Sequence, residues 1–354
     1  MKSGLRWLLV GVLGVLLLAS AAALLLQRWA RSDDFRARVE QQASAALGAP
    51  LKLRSLSVEL WPLPALAADD IVMDLRPPVT IERLEVRPAW APMLQGRFQA
   101  RALVVRKAVL PQVPMTLDAH AQLADSGEPE EITFKVLEGR FAGARGEVTR
   151  EADRWPVHVA IGGGDIRGQL RLAMGAGGRR VLAGDLQAKD VEVAALTAPS
   201  RALSGKLQAT TRLDAEFRDY GALADALHTT TQFTVRGAVV HGIDLAHAVR
   251  TVGSSRGGQT RLDSLAGRLV TQGRAVRLDN LAATSGALVA HGQVAVSPAK
   301  ALSGQVTVRL VATPDSLGVP LAVGGTLDAP TVTLSRGTLL ADKIGNAVRG
   351  LLGK

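Results

Sequence analysis

The stretch from Trp7 to Leu26 constrains the fold of this chain more than any other. Its twenty residues include no charged residue and no proline. At a rise of about 1.5 Å per residue, a helix of this length spans about 30 Å, which is the thickness of one hydrocarbon core. The stretch therefore predicts a membrane anchor that begins at Trp7, passes through Leu16 and ends at Leu26.

A cleaved signal peptide is the alternative for the same stretch. Lys2 and Arg6 form a basic start, and residues 19–21 (Ala-Ser-Ala) resemble a small-residue cleavage site. The apolar run continues beyond that site to Leu26, which an anchor requires and a signal peptide does not. We expect the N-terminus of the anchor on the cytoplasmic side, because the remaining chain has the pattern of a folded extracytoplasmic domain. Basic residues flank both ends of the anchor, and their count alone favours the opposite orientation.

Composition excludes several classes of function. The chain has 354 residues, of which 47% are hydrophobic, and it contains no cysteine, so thiol chemistry and disulfides are excluded. Its net charge of +10 is spread along the chain and only 3% of residues are aromatic. Nucleic-acid binders usually carry clustered basic residues or aromatic stacking platforms, so we expect no nucleic-acid partner. A basic surface beside an anchor instead complements anionic lipid headgroups.

One well-capped helix is predicted directly after the anchor. Ser32 is a suitable N-cap, and two aspartates follow it at the positive end of the helix. Apolar side chains recur at a spacing of four, which places them on one helical face: Phe35, Val39, Ala43 and Leu47.

Strands dominate from about residue 131 to residue 335. The clearest runs from Leu207 to Arg218, where apolar and polar residues alternate strictly, as in a strand with one buried and one wet face. Short helices are predicted only at 220–227, at 244–252 and in an amphipathic segment at 339–352. The candidates for lining an apolar face are Leu207, Ala209, Leu213, Phe217, Val306, Val308 and Leu310.

The apolar face of such a meander must be covered. Pattern alone favours a second sheet or barrel closure, which gives an ordinary protein core. The alternative is a trough that holds acyl chains, since exposing about 14 methylenes to water costs about 11 kcal/mol.

Several segments together resemble the AsmA family of bacterial envelope proteins. Two lie behind the anchor, at 35–73 and at 79–110, where a strand leads through a Pro-Met-Leu-Gln-Gly turn into a second strand. The others follow in the family's order at 242–245, 263–267, 273–296 and 319–330. The regions that contain them, 32–119 and 226–335, cover a little over half of the chain.

This resemblance implies a mainly β fold: an N-terminal transmembrane helix, then an elongated antiparallel β-groove of the bridge-like lipid-transfer type with a few short helices. It implies a single-pass inner-membrane protein with a periplasmic body, phospholipid cargo, a possible envelope protein partner and no cofactor. The implied role is phospholipid transport and outer-membrane homeostasis.

The chain divides accordingly into five parts. We assign 1–31 to the anchor, 32–119 to the AsmA-like helix and strands, and 120–225 to a middle meander that resembles nothing we can name over most of its length. The AsmA-like C-terminal β region is 226–335, and the amphipathic helix lies in 336–354.

Candidate catalytic and metal-binding patterns are weak. Residues 253–257 fit G-x-S-x-G around Ser255, with Asp263, Asp279 and His291 downstream in the order of a hydrolase triad. A helical stretch enters the motif, however, where a nucleophile elbow requires a strand. His241, Asp244 and His247 come from one stretch and are interpreted as a strand end and a helix surface. We therefore predict a non-enzymatic protein. The alternatives are an assembly scaffold for outer-membrane proteins without lipid cargo and, less favoured, a serine hydrolase acting through Ser255.

The anchor generates a direct prediction. Because the apolar run continues to Leu26, the mature protein should retain Met1 and stay in the membrane pellet after alkaline carbonate washing. N-terminal mass spectrometry and fractionation test this, and a soluble form that begins near Ala22 would contradict it.

Overall fold

The computed structural model describes residues 32–47, 50–59, 65–75, 77–89, 92, 99–111, 113–218, 222–250, 257–311 and 318–335. Within these ranges no helix is long and apolar enough to cross a membrane. The predicted anchor with Trp7, Leu16 and Leu26, the motif around Ser255 and the C-terminal amphipathic helix all lie outside them.

The described residues are mainly β, as predicted, and their helices are few. They form two compact units, divided between residues 137 and 138. The helices are α1 (Asp33–Leu47), α2 (Val193–Thr197), α3 (Leu223–Ala226) and α4 (Leu245–Arg250). The sequence predicted α1, α3 and α4 and missed α2.

Strand β3 lies at the centre of the first unit. It pairs with the two short strands β1 and β2 along one edge and with β4 along the other. All the pairings found here, β1–β3, β2–β3, β3–β4, β4–β5 and β5–β6, are antiparallel. The strands, of which β7 contains the boundary between the units, are β1 (Leu51–Lys52), β2 (Ser55–Glu59), β3 (Ala65–Met73), β4 (Val79–Pro88), β5 (Ala100–Leu110), β6 (Met115–Leu123) and β7 (Pro129–Gly139).

Helix α1 covers one face of this unit. The Phe35 N–H donates to Ser32 Oγ at 3.3 Å, which confirms the predicted N-cap. Phe35, Val39 and Ala43 share one helical face, as predicted, and pack against a core of Leu51, Leu53, Leu56, Ala68 and Ile71. Apolar burial on this face is therefore completed by protein.

Helix α1 also satisfies backbone groups near the sheet edge. The Leu51 N–H donates to Ser44 Oγ at 2.8 Å, and the Leu53 N–H donates to Glu40 Oε1 at 2.9 Å. An edge strand with unpaired N–H groups invites pairing with another chain. These two side chains remove that exposure.

The second unit is a series of antiparallel neighbours in which each strand pairs with the next one in sequence. Its strands are β8 (Arg145–Thr149), β9 (Arg154–Ile161), β10 (Gly164–Met174), β11 (Arg180–Glu192), β12 (Leu203–Phe217), β13 (His228–His241), β14 (Gln259–Gln272), β15 (Ala275–Thr284), β16 (Leu288–Val296), β17 (Leu302–Leu310), β18 (Val319–Gly325) and β19 (Pro330–Leu334).

The register of these strands aligns one apolar face. Leu207 lies opposite Val235, and Val235 lies opposite Leu265. The row continues through the pairs Leu265–Ala283, Ala283–Ala290 and Ala290–Val308. Directly opposed residues of an antiparallel pair share a face, so the sequence-predicted residues of β12 and β17 lie on the same face, which we call the inner face.

Glycines on the inner face allow it to curve. Gly292 lies opposite Val306, and Gly304 lies opposite Val294. A Cβ at Gly304 would lie 2.3 Å from the Gln293 carbonyl oxygen, so only glycine fits. Missing side chains on one face permit a sharp bend towards it.

The curvature brings distant strands of this unit together. A Cβ built on Gly242, directly after β13, would lie 3.1 Å from Pro330 Cγ at the start of β19. The two positions are separated by five intervening strands in the pairing order. The sheet from β13 to β19 therefore curls around its own apolar face.

Replacing a glycine of the inner face should destabilise this unit. We expect Gly304→Ala to cost 1–3 kcal/mol, typical of overpacking, and to lower the thermal midpoint by about 5 °C. Gly286→Ala is the control, since a Cβ there meets nothing within 4 Å. Differential scanning calorimetry of the purified full-length protein measures both, and equal midpoints would show that the close approach at Gly304 does not limit stability.

Candidate functional site

An apolar cavity of about 270 Å³ lies within the curl of the second unit. Strands β13 to β19, helix α4 and the chain entering β12 contribute to its wall. Among the described residues of that wall, only His241 and His291 have polar side chains. Its apolar lining includes Phe233, Leu265, Leu278, Leu281, Val294 and Val306.

A packed core continues directly from the cavity. Val308, Leu321 and Val332 are fully buried, and half-buried side chains such as Leu207 and Leu310 pack against them. The curl is therefore filled by protein on one side and leaves free volume on the other. The cavity is a local feature of the inner face.

Thr260 fixes helix α4 beside the cavity. Its Oγ1 accepts from the Leu245 N–H at 3.0 Å and donates to the Ile243 carbonyl at 2.8 Å, and the residue is buried. One hydroxyl thereby satisfies two backbone groups at the start of the helix. Ala248 of α4 is then fully buried in the core.

The seven candidates predicted from alternation are distributed unevenly around this site. Val306 lines the cavity, whereas Val308 is fully buried beside it. Leu213 and Phe217 are buried further along β12, and Ala209 is half-buried. All lie on the inner face, and the residues that alternate with this face, at 208, 210, 212, 214 and 216 of β12 and at 307 and 309 of β17, are exposed.

One β-bulge in β15 explains why Leu278 and Leu281 were not predicted as lining residues. The register of β15 shifts by one residue against both of its neighbours, opposite Ala266 and Arg268 of β14 and between Leu278 and Leu281 against β16. The bulge adds a residue and breaks the period of two. Leu278 and Leu281 therefore both line the cavity although their spacing of three does not predict a shared face.

The residues considered for a metal or for catalysis do not converge. His241 hydrogen-bonds Ser204, while Asp244 Oδ1 accepts from the His247 N–H at 2.9 Å as a helix cap. Asp279 pairs with Arg277 at 2.9 Å. In the described part of the chain, no group of three such side chains could hold a metal ion.

A buried carboxylate organises the polar face of the first unit. Glu85 of β4 is 7% exposed and points away from the α1-covered core. Its oxygens lie 3.1 Å from Arg83, 3.0 Å from Arg87 and 3.5 Å from Arg106. Desolvation raises the pKa of Glu85, but the hydrogen bonds from Arg87 and Arg83 outweigh it, so the pKa is lowered overall.

Comparison of the chain with protein-family models, curated proteins and solved structures found no match. The AsmA resemblance therefore stays an expectation that rests on the sequence segments alone.

The lowered pKa of Glu85 predicts a pH-dependent contribution to stability. A carboxyl whose folded pKa lies below its unfolded value stabilises the fold above that unfolded value, about 4.5, and the contribution disappears as pH falls through the folded pKa. We expect Glu85→Gln to lower the free energy of unfolding at pH 7 by about 1–3 kcal/mol, and the difference to shrink below about pH 4.

Glu82→Gln on the same strand is the matched control, because its pair with Lys107 is more than half exposed on both sides. Exposed pairs contribute about 0–1 kcal/mol. Urea unfolding at pH 7 and pH 3 tests both variants. A Glu85→Gln deficit that is the same at both pH values would contradict the assignment.

Proposed function

We propose that this protein is a membrane-anchored, non-enzymatic envelope protein that holds acyl chains against the inner face of its second unit and takes part in phospholipid transport. The observation that carries this proposal is the apolar cavity within the curl. The anchor, the periplasmic location and the role in outer-membrane homeostasis rest on the sequence.

The chemistry of the lining favours hydrocarbon over water. A buried water needs two to four polar partners, and the wall of this cavity offers almost none. A methylene group gains about 0.8 kcal/mol on leaving water. At about 30 Å³ per water-sized group, the 270 Å³ cavity accommodates about nine methylenes, which corresponds to about 7 kcal/mol.

Exposed apolar side chains extend the same face beyond the cavity. The pairing of β10 with β11 and of β11 with β12 places residues of β10 and β12 in common rows across the sheet. Leu172 of β10 lies in the same row as Ala215 of β12, and Met174 lies in the same row as Phe217. Leu172 is 41% exposed and Met174 is 70% exposed. Large apolar side chains in contact with solvent on a sheet face often mark an interaction surface. They support a path for lipid along the inner face.

Site-specific crosslinking tests the proposal. A photoreactive amino acid at Val306 should capture lipid in cells, because Val306 lines the cavity. The same amino acid at Thr307 should not, since that residue is exposed on the opposite face of the same strand. Mass spectrometry of the purified adducts identifies the lipid.

Two outcomes would contradict acyl-chain binding. Capture at neither position favours the scaffold alternative, in which protein alone fills the interior. Equal capture at both positions means that lipid contacts the protein without preference for the inner face.

A further inference from the structure

We infer that the strand ends beside the cavity bind the anionic head of a single-chain amphiphile, with a carboxylate or phosphate oxygen as the recognised group. This inference rests on the proposed function, because it places the acyl chain in the same cavity. It adds the class of ligand and the residues that select it.

The apolar cavity adjoins a second cavity where two strands end. Leu203 begins β12 and His241 ends β13, and the His241 N–H donates to the Ala202 carbonyl at 2.9 Å. Leu203 and His241 line the 270 Å³ cavity and also a second cavity of about 820 Å³. The two cavities therefore share part of their wall at these strand ends.

Hydrogen-bonding groups gather in the second cavity. Ser204 Oγ lies 3.1 Å from His241 Nε2, and both residues are half-buried. Ser200 and Arg201 also line this cavity. A hydroxyl, an imidazole and a guanidinium can together donate to the oxygens of one anionic group.

Arg201 differs from the basic residues near it. Arg236 pairs with Asp190 at 2.6 Å, and Lys206 lies 4.0 Å from Glu192. Arg201 is exposed and forms no ion pair with any carboxylate in the described part of the chain. Arginine presents a planar fork of donors that suits carboxylate and phosphate oxygens, so this residue is available for an anionic ligand.

The volume of the apolar cavity determines how many acyl chains of a ligand it can hold. It accommodates about nine methylenes at about 30 Å³ each, which is one medium-length chain. The ligand is therefore a monoacyl amphiphile with a charged head, either a fatty acid or a monoacyl phosphate ester.

Photoaffinity labelling of the full-length protein in nanodiscs tests this inference. The probes are a ten-carbon fatty acid with a terminal diazirine, the alcohol of the same chain, and its phosphate monoester. Labelled peptides from residues 276–296 and 302–310 report occupancy of the cavity alone, which separates it from binding to the nanodisc. Half-saturation concentrations are compared between probes and between variants.

The expected result has three parts. The better anionic probe should half-saturate the cavity at a concentration at least fivefold lower than the alcohol. Arg201→Gln and Ser204→Ala should each remove most of that difference without changing the half-saturation concentration of the alcohol probe. Arg212→Gln is the control, because Arg212 is exposed on the outer face of β12. It should leave the half-saturation concentrations of all three probes unchanged.

The carboxylate and phosphate arms identify the source of the anionic group, since the tighter probe carries the group that the site prefers. Equal labelling by the anionic and neutral probes would overturn the head-group site and leave acyl-chain binding intact. Labelling of the cavity by none of the probes would overturn acyl-chain binding and the proposed function as well.

Discussion

A sheet that keeps its apolar side chains on one face must cover that face, and both units depend on how this is done. In the first unit the cover is α1, whose fifteen residues lay Phe35, Val39 and Ala43 across the short strands. Its Glu40 and Ser44 also satisfy the N–H groups of nearby strands. That face is closed by protein and has little room for a ligand.

In the described part of the second unit, the helices that contribute buried residues to this core are short: α2 contributes Val193 and the six-residue α4 contributes Ala248. At about 1.5 Å per residue, α4 is about 9 Å long, which reaches across about two strands at about 4.8 Å spacing. The remaining width is covered because the sheet curls on itself, with glycines such as Gly292 and Gly304 at the bends. Curling covers the inner face without filling all of the enclosed volume.

The sequence predicted the class of fold and the face of each regular strand, because a period of two is visible wherever pairing is uninterrupted. Leu207 to Phe217 shows this, since every inner residue from Leu207 on is less exposed than its neighbours. The cavity itself was not predictable. Its wall depends on the bulge at Asn280 of β15, which breaks the period of two, and on the approach of Gly242 to Pro330, which are distant in sequence.

The ion pairs distinguish arginines that are held by carboxylates of the fold from an arginine that can contact a ligand. Arg83 pairs with three carboxylates, including the buried Glu85, and such a cation cannot turn to a ligand without giving up ion pairs that belong to the fold. Arg201 forms no ion pair among the described residues and lies just before β12, where it lines the second cavity. The selectivity that we propose for an anionic amphiphile requires an unpaired cation beside an acyl-chain cavity, and Arg201 is the residue that we assign to this role.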